Sequence, residues 1–475
     1  MTGPGKKIAR NTASMYGAEL VGRFFSYLAL VVLSRAFSLE TYGQYSLAVT
    51  LVGLVSSFGD LGLNALTIRE VAADPAQAPR YLRSAMVWRF TSSLLFLGGL
   101  ALWGSFQGYE PILQLAVLAM ATRMIFDGLA GGWVYLLQAH EEMALQGALV
   151  ALGSVTRFLG LSLVVYFGWG LVAACAVWSG VSLLTLLALA AIGLRRGWRP
   201  DFSGFNLRDS AALLRAAIPL AVMGSLQTLY YRVDVVMLKS LSGNVSVALY
   251  ANSYKLLELA LMFANMAALA ALPALAARRD DREAFGVLAE GVMKTLVLGG
   301  MLVSAVGLAS GPDLLVRLFG VKYAEAGLTV KILFLSAAPF FLNALGVAVL
   351  TVRSPKRLAI WYLGLLAGNV ALNLKLIPLF GPPGAAWATL ACELGGAAVV
   401  LAWVAWETPR GAMFRLARTL VGGLAGALCV VWGGRVWPGW QWVPLGPLVF
   451  AGTLFLGLTV RRAEWRALGG FFRRG

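Results

Sequence analysis

The chain is poor in charge, cysteine and histidine. Of its 475 residues only 13% are charged, about half the roughly 25% of a soluble domain. Against that, 59% are apolar and the mean hydropathy is +0.77. These figures exclude a water-soluble enzyme, a disordered chain and a collagen-like repeat. The three cysteines (Cys175, Cys392, Cys429) lie inside apolar runs and the single histidine is His140, too few to build a disulfide framework or a metal site. Acids are scarce as well, 22 Asp and Glu against 39 Lys and Arg, for a formal charge of +17. In a soluble protein that excess would suggest a nucleic-acid partner; here the positions of the basic residues argue otherwise. No Gly-x-x-x-x-Gly-Lys-Ser/Thr loop and no Asp-x-Asp pair occurs, and Asp280-Asp281 is flanked by Arg279 and Arg282 as on a solvated surface. ATP hydrolysis and metal-dependent sugar transfer are therefore not expected.

What the chain has in abundance is long apolar runs. They predict an all-α polytopic membrane protein with spans near 11–37, 43–66, 84–104, 111–137, 144–167, 170–194, 212–239, 246–276, 288–310, 328–351, 357–380, 384–406, 413–434 and 443–460, fourteen in all. The first is expected to stay in the protein. Lys6, Lys7 and Arg10 precede a long run broken by Glu19 and Arg23, unlike the short apolar core of a cleaved signal.

Loops on alternate sides of such a bundle differ sharply in basic residues. One set holds twenty-four Lys and Arg, among them Arg69, Arg80, Arg83, Arg195, Arg196, Arg199, Arg278, Arg279 and Arg353; the other holds five, Arg35, Lys239, Arg317, Lys322 and Arg435. Positive residues accumulate on the cytoplasmic side, so both termini are expected there, and most of the net charge records topology rather than a nucleic-acid ligand. Trp432, Trp437, Trp440 and Trp442 crowd the loop before the last span, as an outer interfacial belt would.

The basic segment 195–211 separates six spans from six. It suggests an N-lobe (1–194), a linker (195–211), a C-lobe (212–407) and a final two-span hairpin with a basic tail (408–475). Tyr42-Gly43-Gln44-Tyr45 is echoed by Val247-Ala248-Leu249-Tyr250, and Arg35 by Lys239. An even number of spans per half makes the repeat parallel, its axis along the membrane normal.

A charge at mid-bilayer costs at least about 2.5–3.5 kcal/mol on insertion scales, so each one needs a partner, water or a task. Arg89, Arg215 and Lys294 lie near span ends and are expected to snorkel out, as are Lys331 and Lys375. Deeper are Arg23, Arg123, Arg157, Arg232 and Lys255, with the acids Glu19, Asp60, Asp127, Asp234, Glu258 and Glu393. Spacings of three or four residues allow Glu19–Arg23, Arg123–Asp127 and Lys255–Glu258 to pair on one helix face, which is also how charges holding a bundle together would look. Arg157 has no acid in its own span. Several deep guanidinium groups suit a phosphate-bearing ligand, because the fork binds phosphate oxygens in pairs and keeps its charge when buried.

Asn11-Thr12, Arg23, Leu33-Ser34-Arg35, Tyr42-Gly43-Gln44-Tyr45, Asp60-Leu61-Gly62-Leu63 and Ile68-Arg69-Glu70 resemble the opening of bacterial Wzx-type oligosaccharide flippases, members of the multidrug, oligosaccharidyl-lipid and polysaccharide exporter superfamily. Ile218-Pro219, Arg232-Val233-Asp234 and Ala248-Leu249-Tyr250-Ala251 carry the likeness into the second half. The resemblance implies two pseudo-symmetric six-helix lobes around a central cavity in a bacterial inner membrane. Its cargo would be a polyprenyl-pyrophosphate-linked glycan, moved to the outer leaflet by alternating access without chemistry, beside a glycan polymerase or glycosyltransferases. On that reading Arg23, Arg123, Arg157, Arg232 and Lys255 hold the pyrophosphate and sugars. Asp60, Asp127 or Glu393 would bind a coupling ion, Na+ or H+, and no other cofactor is implied. The extra hairpin is a feature of peptidoglycan-precursor flippases, which keeps lipid II open as cargo; a cation-drug antiporter would favour a cavity dominated by acids.

Overall fold

The computed structural model describes residues 4–59, 62–202, 206–407 and 412–456. Among them the regular structure is helical, with no strand. The first unit of the chain, Met1–Arg232, contains α1 (Pro4–Ala36), α2 (Leu39–Gly59), α3 (Leu63–Ala73), α4 (Ala78–Phe106), α5 (Pro111–Ala121), α6 (Arg123–Ala139), α7 (Met143–Phe167), α8 (Gly170–Arg195) and the start of α9 (Leu207–Ala276). The second, Val233–Gly475, contains the rest of α9, then α10 (Arg282–Phe319), α11 (Gly327–Leu335), α12 (Ala337–Arg353), α13 (Pro355–Phe380), α14 (Pro382–Glu407), α15 (Ala412–Val436) and α16 (Trp442–Leu456).

Ten of these helical stretches are long and apolar enough to cross a bilayer, eleven if the bent pair Val321–Leu335 and Ala337–Arg353 (41°) is one span. The protein is a polytopic all-α membrane protein. The fourteen expected apolar runs each overlap a helix, and the difference in number has identifiable causes. Residues 224–276 form one helical stretch, broken only where Gly243 adopts φ 84°, ψ 178°, so two spans meet without a loop. Helix α2 carries too many polar groups to pass on apolarity, and α16 is short. The run expected at 43–66 ends early at Gly59; α3 restarts after Gly62, whose φ of 71° favours glycine.

Local chemistry marks the ends. Asp74 and Asp281 accept hydrogen bonds from the backbone N–H of Ala76 (3.1 Å) and Ala284 (3.0 Å), and Pro111 and Pro355 occupy first-turn positions where no N–H is needed. Helix α7 stops at Gly168 in the left-handed region.

In the first unit α1 lies along α7 and α4 along α6, with α8 against α5, α6 and α7. In the second, α10 is the spine for α11, α12 and the α15–α16 pair. Glycines set these distances. A Cβ on Gly434 would stand 2.5 Å from Ala309 Cβ, and one on Gly446 would stand 2.6 Å from Val306, both on α10. Trp442 is buried, stacked over Gly433 with its Nε1 donating to the Trp437 carbonyl (2.9 Å), whereas Trp432, Trp437 and Trp440 are exposed. Thus three of the four clustered tryptophans suit an interfacial belt and the fourth packs the final hairpin.

Candidate functional site

Two of the five deep cations come together on one indole. Thr122 interrupts the α5–α6 run, its hydroxyl donating to the Leu118 carbonyl (2.9 Å), and α6 opens on Arg123. Helix α7 supplies Arg157, and α8 supplies Trp178 between them. The Arg157 guanidinium carbon lies 3.9 Å from the Trp178 ring centroid and that of Arg123 lies 4.9 Å away. The indole is itself fixed. Its Nε1 donates to the hydroxyl of Tyr45 on α2 (3.0 Å), a residue only 5% exposed, and Ser179 next to it donates to the Ala119 carbonyl of α5.

The cluster's charge is only partly neutralised. An indole face attracts a cation through its quadrupole but carries no net charge. Asp127 reaches Arg123 only at 3.9 Å, beyond hydrogen-bond distance, and is 44% exposed. The Nε atoms of Arg123 and Arg157 are both buried with no hydrogen-bond partner among the described residues. Helix α7 contains no acid. Donors held in place and left unsatisfied are what an incoming oxyanion can complete. Among the described residues there is no group of three or more His, Cys, Asp and Glu that could hold a metal ion.

The remaining candidates are held differently. Arg23 pairs with Glu19 through Nη2 (2.7 Å) and Nε (3.1 Å), both side chains near half exposure. Its helix packs on α7 through Gly22 against Ser154 and Phe25 against Phe158 (centroids 5.6 Å apart). Arg232 is half-buried on α9, while Asp234, two residues on, is 4% exposed. Asp234 accepts from the Val235 N–H (2.9 Å) and from the hydroxyl of Tyr250, which also meets Thr389 (3.2 Å). Lys255 pairs with Glu258. Glu393, 1% exposed, accepts from Asn343 Nδ2 at its carboxylate (2.6 Å) and its carbonyl (3.0 Å). Asp60 lies outside the described residues.

Sequence reasoning missed Trp178 and the role of Tyr45. The available signal was position, because tryptophan gathers at interfaces and Trp178 lies mid-span. It also placed Arg89 at a span end as a snorkelling residue. Instead Arg89 faces α6, donating to the Tyr135 hydroxyl with its guanidinium 5.7 Å from that ring, because Gly131 leaves room for the guanidinium and Gly128 lets the two backbones approach.

The profile of the family described as polysaccharide biosynthesis protein matches residues 8–278. No curated protein matches the sequence. Among solved structures, lipid II flippase MurJ in an inward closed conformation superposes over 97% of this chain and 99% of its own, at a TM-score of 0.74 and 14% identity. An outward-facing multidrug resistance MATE transporter covers 85% of this chain and 96% of its own (TM-score 0.60, 14% identity). A transporter of the same superfamily from Pyrococcus furiosus gives 85%, 96%, 0.62 and 14%. With more than half its length matched by the family profile, the chain belongs to the polysaccharide biosynthesis protein family, and it shares the fold of those transporters.

Proposed function

We propose that this flippase of the exporter superfamily moves a polyprenyl-pyrophosphate-linked oligosaccharide from the cytoplasmic to the outer leaflet of a bacterial inner membrane. The observation that carries the reading is the pair of guanidinium groups on Trp178, with buried donors unsatisfied. A diphosphate offers several acceptor oxygens to such a pair, and a cationic drug would be repelled. Arg23, Arg232 and Lys255 are assigned to the glycan and the outer phosphate. Movement is by alternating access between lobes 1–194 and 212–407, joined by the basic segment 195–211, with both termini cytoplasmic. A coupling ion at Asp60, Asp127 or Glu393 would drive it, or the potential would, since a unit charge gains about 2.3 kcal/mol per 100 mV. An inside-negative membrane favours outward movement of an anion. A glycan polymerase or glycosyltransferases would work alongside it.

The test is reconstitution of the full chain in vesicles with a fluorescent polyprenyl-pyrophosphate glycan, reading the fraction of dye that becomes accessible outside. Arg157→Ala and Arg123→Ala are expected to inserted normally but abolish movement. Near-normal movement by both variants overturns the assignment. Lipid II is the second reading, favoured by the likeness to MurJ over 97% of the chain against 85% for the MATE transporter. Running both cargoes through the same vesicles separates the two.

A further inference from the structure

A pocket apart from the arginine pair lies where the ends of several spans meet. Three adjoining spans end on one side within a few residues of each other. The stretch beginning at Pro75 starts there, the one ending at Ala139 stops there, and so does the one ending at Arg195. Between their ends is a pocket of about 220 Å³ with Leu82, Leu136 and Pro79 among its apolar lining and His140, Trp198 and Arg199 among its polar lining. That volume is below the roughly 300–1,000 Å³ of sites that enclose drug-sized ligands, so it suits a compact group and not a nucleotide.

The polar wall is built in advance. Gly197, at φ 77°, turns the chain so that Trp198 folds back, its N–H donating to the Gly193 carbonyl (2.8 Å). The Trp198 carbonyl accepts from Trp133 Nε1 (3.2 Å), and Trp133 itself packs on Gly193. The imidazole of His140 lies 4.9 Å from the Trp198 ring, and its Nδ1 meets the Leu136 carbonyl at 2.8 Å. A carbonyl can only accept, so Nδ1 carries the proton. Arg196 lies over Trp198 (5.2 Å) and pairs with Glu142, leaving Arg199 as the cation in the lining. Leu184, Leu187 and Leu194 are exposed along α8, an apolar stripe that ends four residues before Trp198.

We propose that this pocket binds the phosphodiester headgroup of an anionic phospholipid, held by Arg199, with the acyl chains along the exposed leucines of α8. Basic pockets among span ends commonly take such headgroups, and a lipid is the anion that also satisfies the neighbouring stripe. The inference does not depend on the nature of the transported cargo.

The experiment is native mass spectrometry of the full-length protein released from nanodiscs of equal phosphatidylglycerol and phosphatidylcholine. Arg199→Glu and Ala76→Trp are compared with wild type, the second filling the pocket while sparing its charge. Wild type should retain phosphatidylglycerol several-fold over phosphatidylcholine, and each variant should lose most of that preference. Equal retention by wild type and Ala76→Trp, or loss in Arg199→Glu alone, overturns the pocket as the site. In a second arm, excess inorganic phosphate is added. Displacement of the lipid by phosphate at comparable concentration would mean that the chains contribute nothing and would overturn the lipid assignment.

Discussion

Replacing Arg157 by methionine separates a binding role from a structural one. The buried Nε without a partner costs about 1–3 kcal/mol. The stacking on Trp178 at 3.9 Å returns about 0.5–2 kcal/mol. The two nearly cancel, so Arg157 contributes little to folding, and an unbranched apolar side chain can fill the space it leaves. For a bound diphosphate the balance is different. Each charge-assisted hydrogen bond is worth about 1.5–3 kcal/mol, so losing a bidentate pair removes about 3–6 kcal/mol, a factor of roughly one hundred to ten thousand in affinity. Arg157→Met is therefore expected to melt within a few degrees of wild type, followed by tryptophan fluorescence in detergent, while initial flipping at subsaturating cargo falls by about one hundredfold or more. Arg157→Lys, which keeps the charge but not the fork, should fall between the two. Collapse of the folded state in Arg157→Met, or a flipping rate within threefold of wild type, would refute the reasoning.

Two further outcomes follow from the packing. Gly434→Val brings a branched side chain against Ala309, where even a Cβ would stand 2.5 Å away; overpacking of about 1–3 kcal/mol should lower the thermal midpoint, whereas Gly452→Ala, with open space around it, should not. Tyr250→Phe removes a hydroxyl from the buried Asp234 carboxylate and is expected to destabilise by about 1.5–3 kcal/mol, seen as a lower midpoint without a change in fold by circular dichroism.

Much of the architecture was legible because the bilayer constrains it so strongly. Apolar runs located the helices, and i,i+4 spacing made the Glu19–Arg23 pair readable before any coordinates. Spacing also gave the Arg123–Asp127 ion pair, which closes at 3.9 Å, but not the Trp178 ring beneath the same guanidinium. That ring sits fifty-five positions along the chain, and no periodicity within one helix reports a contact between helices. The same limit hid the turn of Arg89 toward Tyr135. It also hid the burial of Trp442, since composition alone does not tell a belt tryptophan from a packed one. The break at Gly243 was read as a loop because a short polar stretch with a glycine looks the same whether or not the helix resumes at once.

The glycine contacts along α15 and α16 have a mechanical corollary. With Gly434 on Ala309 and Gly446 on Val306, the last two helices lack the slack to swing alone; they are passengers on α10. Were α10 to tilt, the oily flank formed by Val421, Leu424, Leu428 and Trp432 would move with it, and a hydrocarbon tail resting on that flank would be towed in step.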